Sequence, residues 1–491
     1  MPKIVFLATD IVLYVLLLAL AFYIRTVIKT PNLRQTWRTV TRDSGAMAAA
    51  VILVSFLGIA LLDSLHYRPL LPPTADASAN PGPAYSTQTL SVLDYLLEDR
   101  RQSREKTYSE PMATHQYSKE TMLVNGKSER VNPRLVYGGA HLTDPETQWV
   151  GDVTTRSVTG LLYGVIAAVG IWCLVAWART RAEQTTVVQS LGQLVRGDTD
   201  FPWRAVLITV STLALIVGWL STVWPYYHVA GTDQTGNDVL FQGVKSIRTA
   251  IVIGSLATLA TLPFAVILGI LAGYLKGWVD DAIMYVSTLL TAIPYVLLIA
   301  ACVMLINLFI DKNPSLFETA LERADIRLFL LATVLGFTGW ATLCRLLRAE
   351  TLKLSELDYV QAARAFGVSN FGIMRRHIFP NIMHVVLIVA VLDFSGLVLI
   401  EAVLSYVGVG VDPTTYSFGS MINSARTELS RDPAVWWNLA TAFTLMVALV
   451  LAMQMFAFAV QLAFDPRARA FKSKRTKAAP LAVAPVAVSK E

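Results

Sequence analysis

About nine separate stretches of this chain are apolar for long enough to cross a bilayer, which removes most soluble folds from consideration. A helix needs about 17 to 25 apolar residues to span the hydrocarbon core. Such stretches occur near 4–24, 46–64, 157–178, 204–224, 248–274, 281–308, 328–347, 383–407 and 437–463. No water is present there to satisfy backbone polar groups, so each stretch is expected to close its hydrogen bonds internally as a helix. Composition agrees: of 491 residues, 54% are hydrophobic and only 15% charged. The expected fold class is an all-α polytopic membrane protein with about nine transmembrane helices.

Basic residues predict the orientation. Arg25, Lys29, Arg34, Arg38 and Arg42 follow the first stretch, and Arg179, Arg181 and Arg196 the third. Arg345, Arg348 and Lys353 precede the loop at 358–381, and Arg467, Arg469, Lys472, Lys474, Arg475 and Lys477 follow the last stretch. All fall on the cytoplasmic side if the N-terminus is outside and the C-terminus inside. The formal charge of +6 is then topology and phospholipid contact, dispersed over loops, and not a nucleic-acid surface. The first stretch lacks a small-residue cleavage site and is read as a retained span. Asp10 within it is costly in lipid and is expected to face other helices. Cys173, Cys302 and Cys344 fall in predicted spans without pairing or metal spacing and read as small packing residues.

Residues 66–156 are the one long polar region. Pro69, Pro72, Pro73, Pro81 and Pro83 mark its opening as loop. Leu90, Leu93, Leu96 and Leu97 predict a short amphipathic helix running into a charged stretch at 98–106, and Thr121–Gly126 a strand ending in a hairpin turn. The expectation is a small periplasmic insert, α/β or irregular. It is either a docking platform or cap over a mouth, or a tolerated decoration. The predicted divisions are 1–65 (spans and a basic loop), 66–156 (insert), 157–224 (extra spans), 225–467 (core, with a short helix at 357–367) and 468–491 (a disordered basic tail).

Two polar segments and two acids stand out. In the segment 358–381, Asp358 opens a predicted helix whose Tyr359, Ala362, Ala363 and Phe366 share one face. The alanines leave that face thin enough for another protein to approach. Gly367 suits a left-handed helix end, and Pro380 the first turn of the next helix. An amphipathic loop lying on the membrane is the plainer alternative. In the segment 231–240, Gly231 and Gly236 permit sharp turns, and Asp233 or Asp238 can cap the helix starting near Val239. Asp393 and Glu401 lie inside a predicted span, where an acid suggests either a pathway group or a bond between helices. Pro263 and Pro294 are expected to kink their helices.

The segment around Gln361-Ala362-Ala363, with Gly367 and His377-Ile378-Phe379-Pro380-Asn381, resembles the EAA motif of ABC importer permeases of the peptide/nickel (dipeptide and oligopeptide) branch. Gln361 stands where Glu is usual and Phe379 where Leu is usual. Gly231-Thr232-Asp233-Gln234-Thr235-Gly236-Asn237-Asp238 resembles the Gly-Thr-Asp-x-x-Gly-Arg-Asp motif of the same branch, with Asn237 for the usual Arg. Glu401 also matches a family segment, whereas Asp393 belongs to no placed motif. The resemblance covers about half of the chain and leaves about three spans unexplained.

The resemblance implies a type I importer permease core in a bacterial inner membrane. In such a core the 358–367 helix couples to a separate ATPase, and Gly231, Thr232, Asp233, Gly236 and Asp238 sit at the periplasmic mouth. It also implies partners: a second homologous permease, two ABC ATPase subunits carrying ATP and Mg, and a periplasmic substrate-binding protein. Peptides or related small solutes are the implied cargo. The chain holds no phosphate-binding loop, no nucleophile elbow and no metal-spaced His set, so it is expected to lack enzyme chemistry and cofactors of its own. The alternatives are an ion- or proton-coupled secondary transporter working through Asp10, Asp393 or Glu401, and a membrane scaffold.

Overall fold

The computed structural model describes residues 2–70, 85–124, 127–183, 186–317 and 319–464. The strand β1 (Lys3–Val5) leads into α1 (Ala8–Lys29), α2 (Pro31–Val40) and α3 (Ser44–Ser64). The polar region holds β2 (His66–Arg68), β3 (Leu90–Ser91), α4 (Val92–Leu96), α5 (Glu98–Gln102), β4 (Glu120–Val124) and β5 (Lys127–Val131). Then come α6 (Pro145–Glu183), α7 (Val187–Arg196), α8 (Trp203–Val223), α9 (Val239–Leu275), α10 (Trp278–Ala292) and α11 (Tyr295–Lys312). The chain continues through α12 (Ala320–Ser355), α13 (Asp358–Ala365), α14 (Asn370–Ile373), α15 (Phe379–Tyr406), α16 (Phe418–Glu428) and α17 (Trp437–Phe464). Among the described residues, nine helical segments are long and apolar enough to cross a membrane.

Several expected boundaries move. The stretch 281–308 is not one helix: it breaks at Ile293–Pro294 into α10 and α11, because Pro294 has no N–H to continue the ladder. Pro263, by contrast, lies inside an unbroken α9. The first span starts at Ala8, since Lys3–Val5 pairs as a strand with His66–Arg68. α6 begins at Pro145, taking the last residues assigned to the insert. α9 begins at Val239, well before 248, and so carries Lys245 and Arg248. In the insert, Leu93 is buried but Leu96 faces outward, so the apolar face expected of α4 is narrower than its leucines suggest. The predicted hairpin exists as β4 and β5 in antiparallel register, with Val124 opposite Lys127. Its turn, Asn125–Gly126, lies outside the described residues, as do Pro72, Pro73, Pro81, Pro83 and the tail 465–491.

The centre of the bundle is α9 against α12. They run parallel: Arg248 lies near Asp325 at one end, and Gly273 faces Thr351 at the other. α10 and α11 make the return. Arg348 near the end of α12 grips Asp280 at the start of α10, and the Tyr295 hydroxyl at the start of α11 donates to the Leu335 carbonyl at 3.0 Å. A methyl group added to Gly336 would sit 2.4 Å from the Ala257 carbonyl oxygen, so only glycine permits this approach of α12 to α9. Close backbone contact through small residues is how helices associate where lipid removes the hydrophobic drive. Val252, Ile253, Leu256, Leu328, Leu331 and Leu335 fill the seam, with Leu397 and Leu404 of α15 against it. α6 and α8 form a second glycine-lined pair, with Gly160 and Gly164 facing Gly218. That pair meets the rest through α3. Counted by crossings from the insert, residues 225–238 share its end of the bundle, and residues 356–369 lie at the other.

Candidate functional site

At the insert end, the loop 231–238 is built from its own turns and then locked by the insert. Gly231 and Gly236 have φ of 71° and 78°, the left-handed region that glycine occupies without strain. Asp238 caps α9, accepting from the Phe241 N–H at 2.9 Å. Asp233 instead organises the turn, accepting from the N–H groups of Thr235 (2.8 Å) and Asn237 (2.9 Å) and from Gln242 Nε2 (2.7 Å). The Asn237 side chain turns back onto Asp233 and Thr235.

Thr232 is fully buried. Its hydroxyl donates to the Thr107 carbonyl at 2.8 Å and accepts from the Ser109 N–H at 2.7 Å, and its carbonyl accepts from Trp437 Nε1 at 2.9 Å. The Glu105 N–H donates to the Gly236 carbonyl at 2.9 Å. The insert is therefore stitched to this loop along its length.

A charged knot lies beneath. His228 Nδ1 is 2.8 Å from Asp238, and its Nε2 is 3.6 Å from Glu105, an ion-pair contact too long for a hydrogen bond. Glu105 also accepts from the N–H groups of Val136, Tyr137 and Gly138. Burial opposes charge on His228, but the Asp238 hydrogen bond and the Glu105 carboxylate outweigh it and lift its pKa from 6.5 to about 9. Burial likewise opposes charge on Glu105, and His228 with the three N–H donors holds it at about 2. Sequence reading missed both residues, because a single His and a single Glu far apart in the chain carry no spacing signal.

At the other end, α13 has one face tied down and the other open. Val360 is buried and Ala363 half-buried against Leu347, Ile373 and Ile378, while Tyr359, Gln361, Ala362 and Phe366 are exposed, Phe366 at 87%. The helix ends in a Schellman motif: the Val368 N–H reaches the Ala363 carbonyl and the Gly367 N–H the Arg364 carbonyl, with Gly367 at φ 75°. Asn381 donates to the Tyr359 hydroxyl at 3.1 Å. The Gln361 amide lies 3.3 Å from Glu356, which pairs with Lys276 at 2.7 Å. Pro380 does not open a helix after a loop. The helical run starts at Asn370, capped by Ser369, and passes through a π turn at Met374–Ile378 directly into α15. Pro380 follows directly on the π turn, and it has no N–H to donate back into the preceding turn.

The intramembrane acids differ sharply from one another. Asp10 is fully buried, 2.6 Å from Arg248 and 2.8 Å from His66. Arg248 also reaches Ser64 and Asp325, and Asp325 accepts from the Thr9 N–H at 3.1 Å. Alongside, Lys245 joins Asp63 (3.1 Å) and Asp94 (2.7 Å). This network binds α1, α3, α4, α9 and α12 together. Asp10, an acid inside a predicted span, was its one sequence signal. Glu401 is buried and accepts from Ser405 at 2.7 Å, a bond within its own helix. Asp393, in the middle of α15, is half-buried and lines a cleft of about 780 Å³ between α10, α11, α12 and α15. The structure does not bring Asp393 and Glu401 together.

The family described as binding-protein-dependent transport system inner membrane component matches residues 265–470. The oligopeptide transport system permease protein OppC of Lactococcus lactis subsp. cremoris is 32% identical over 225 residues, covering 46% of this chain and 71% of the relative. OppC of Mycobacterium bovis is 28% identical over 245 residues, 50% of this chain and 78% of the relative. The dipeptide transport system permease protein DppC of Bacillus subtilis is 28% identical over 247 residues, 49% of this chain and 69% of the relative. A solved methionine ABC transporter in an inward-facing conformation covers 47% of this chain at 19% identity, with a TM-score of only 0.32.

Proposed function

This chain belongs to the family of binding-protein-dependent transport system inner membrane components, as a multi-pass permease subunit of an ABC importer, and from that premise we propose how its two polar ends divide the work. Family members act within importers alongside other permease, ATPase and binding-protein subunits. For this chain the proposed assembly is one further homologous permease, two ATPases that bind ATP and Mg, and a periplasmic binding protein. The cargo is a peptide or related small solute, as the names of the relatives suggest. The N-terminus lies outside and the C-terminus in the cytoplasm, in line with the basic clusters.

The single observation that carries the coupling role is α13: rigid at its base, capped at its end, and bearing the 87%-exposed Phe366 at the end of the bundle opposite the insert. An ATPase groove receives Tyr359, Ala362 and Phe366. Its movement passes through Val360 and the Tyr359–Asn381 bond to α12 and α15. Asp358 and Gln361 sit on the same exposed segment. Where the family's usual Glu is replaced by Gln361, the neighbouring Glu356 supplies a carboxylate 3.3 Å away. Alternating access follows if ATP-bound and ATP-free ATPases hold α13 in two positions, shifting the bundle between two states. At the other end, the insert and the loop 231–238 form a fixed rim against which the binding protein docks.

Replacing Gly367 with Leu tests the coupling. There is open space around Gly367, so the strain of φ 75° on a side chain is the only local cost, about 1–2 kcal/mol. ATP-dependent uptake is expected to fall roughly tenfold at unchanged membrane abundance. Normal uptake at normal abundance would remove the coupling assignment.

A further inference from the structure

The geometry points to a recognition site for a cationic substrate group, an ammonium carrying an apolar body, formed by Asp393 and the broken end of α10 in the middle of the membrane. The inference rests on the importer reading above and adds the chemistry of what passes through.

A carboxylate inside a membrane-spanning helix is expensive and is retained where it faces a partner or a cavity. The other acids buried in the spans have partners: Asp10 and Asp325, at the insert end, share Arg248 and Thr9, and Glu401 holds Ser405. Among the described residues, Asp393 has no hydrogen bond and no ion pair, and its side chain borders the cleft.

The opposite wall is the helix break. Thr291, Ala292 and Ile293 line the same cleft, and the last carbonyls of a helix have no intrahelical donor. Pro294, next in line, has no N–H to offer them. Irregular backbone at membrane depth is tolerated where it borders a cavity. Most hydroxyls around the cleft spend their proton on backbone carbonyls and add acceptors, whereas that of Thr342 is unpaired among the described residues and can turn either way. Thr261 donates to the Ala257 carbonyl (2.9 Å), Thr338 to Val334 (2.8 Å) and Tyr295 to Leu335 (3.0 Å). The nearby cation, Arg345, is committed to Ser287 and Thr291.

The cleft thus offers one negative charge and several oxygen acceptors. That complements a donor-rich cation. At about 780 Å³ the space suits an organic ligand, whose pockets run about 300–1,000 Å³, and is far larger than a bare inorganic ion needs. Leu290, Leu346, Val389, Leu392 and Ile400 supply apolar wall for the rest of the ligand.

The test uses the whole importer, with its ATPases and binding protein, in proteoliposomes. The probes are tri-alanine with a free N-terminus and N-acetyl-tri-alanine. The first readout is ATP-driven uptake. The second is maleimide labelling of Thr342→Cys, a cleft position, with the three native cysteines replaced by serine. Tri-alanine is expected to slow labelling and the acetylated peptide not to. Asp393→Asn should abolish that slowing and lower tri-alanine uptake about tenfold, the loss of a single charge-assisted contact. Asp393→Glu should retain most of both.

Equal slowing by the two peptides, or slowing by neither, overturns the cation site. An equal fall in uptake of both peptides with unchanged protection also overturns it, leaving Asp393 a structural role. Uptake that needs no ATP defeats the importer reading instead, and the labelling result still decides the site.

Discussion

The loop 231–238 and the helix α13 (Asp358–Ala365) sit at opposite ends of the same bundle and are finished in opposite ways. At the loop, the chain completes its own surface: Thr232 is buried, Gly236 is pressed against Glu105, and His228 is held between two carboxylates. At the helix, only the inner face is completed, and Phe366 stands at 87% exposure beside exposed Tyr359 and Phe371. A surface that satisfies itself gains rigidity and presents a partner with a fixed shape. A surface left apolar and open over a rigid base is suited to a partner. The difference predicts that substitutions at the loop act on stability, and substitutions at the helix act on transport.

The sharpest way to break this contrast is Gly236→Val. A β-carbon there would meet the Glu105 carbonyl oxygen at 1.8 Å and force a branched residue into φ 78°. Overpacking and backbone strain together should cost about 2–6 kcal/mol. The insert should become protease-sensitive and membrane abundance should fall. A stable, protease-resistant variant would mean that the insert is only loosely attached.

Next in size is pH. His228 has its folded pKa raised from 6.5 to about 9, so the stability it contributes is full below pH 6.5 and is lost as pH rises through 9. A shift of that size corresponds to roughly 3 kcal/mol. Resistance of the insert to proteolysis should decline over that window, and His228→Gln should flatten the decline. Unchanged resistance from pH 6 to 9 in the unsubstituted protein would show that the knot is not holding the insert. Glu105 acts in the other direction: held at about 2, it loses its contribution only in strong acid.

The smallest effect on stability belongs to Phe366→Ala. An 87%-exposed side chain should change stability by less than about 0.5 kcal/mol. Uptake and the association of the ATPase should nevertheless fall together. Loss of thermal stability with normal ATPase association would reverse the roles assigned to the two ends.

Most of the span pattern was legible because lipid imposes one length and one polarity on any helix that crosses it. The turn and cap chemistry of Gly231, Gly236, Asp238 and Gly367 was legible because it is local: each acts within about four residues of itself. The break at Pro294 was only half legible. A proline in a span signals disturbance, but whether the helix bends or stops depends on what packs beside it, and Pro263 in α9 shows the other outcome. The network of Asp10, His66, Arg248, Lys245, Asp63, Asp94 and Asp325 was not legible beyond Asp10 itself, since its members are drawn from segments far apart in the chain.

The amino-acid sequence by itself determined that this chain crosses a membrane many times, the local turn and cap chemistry at Gly231, Gly236, Asp238 and Gly367, and which two short segments carry the family's motifs. Those properties follow from transfer free energy and backbone geometry, which act residue by residue. Only the tertiary structure decided that the insert locks the loop 231–238, that Glu401 is satisfied and Asp393 is not, and that Phe366 is left uncovered. Whether a buried polar group finds a partner depends on which distant segments meet it, and no local pattern in the chain encodes that.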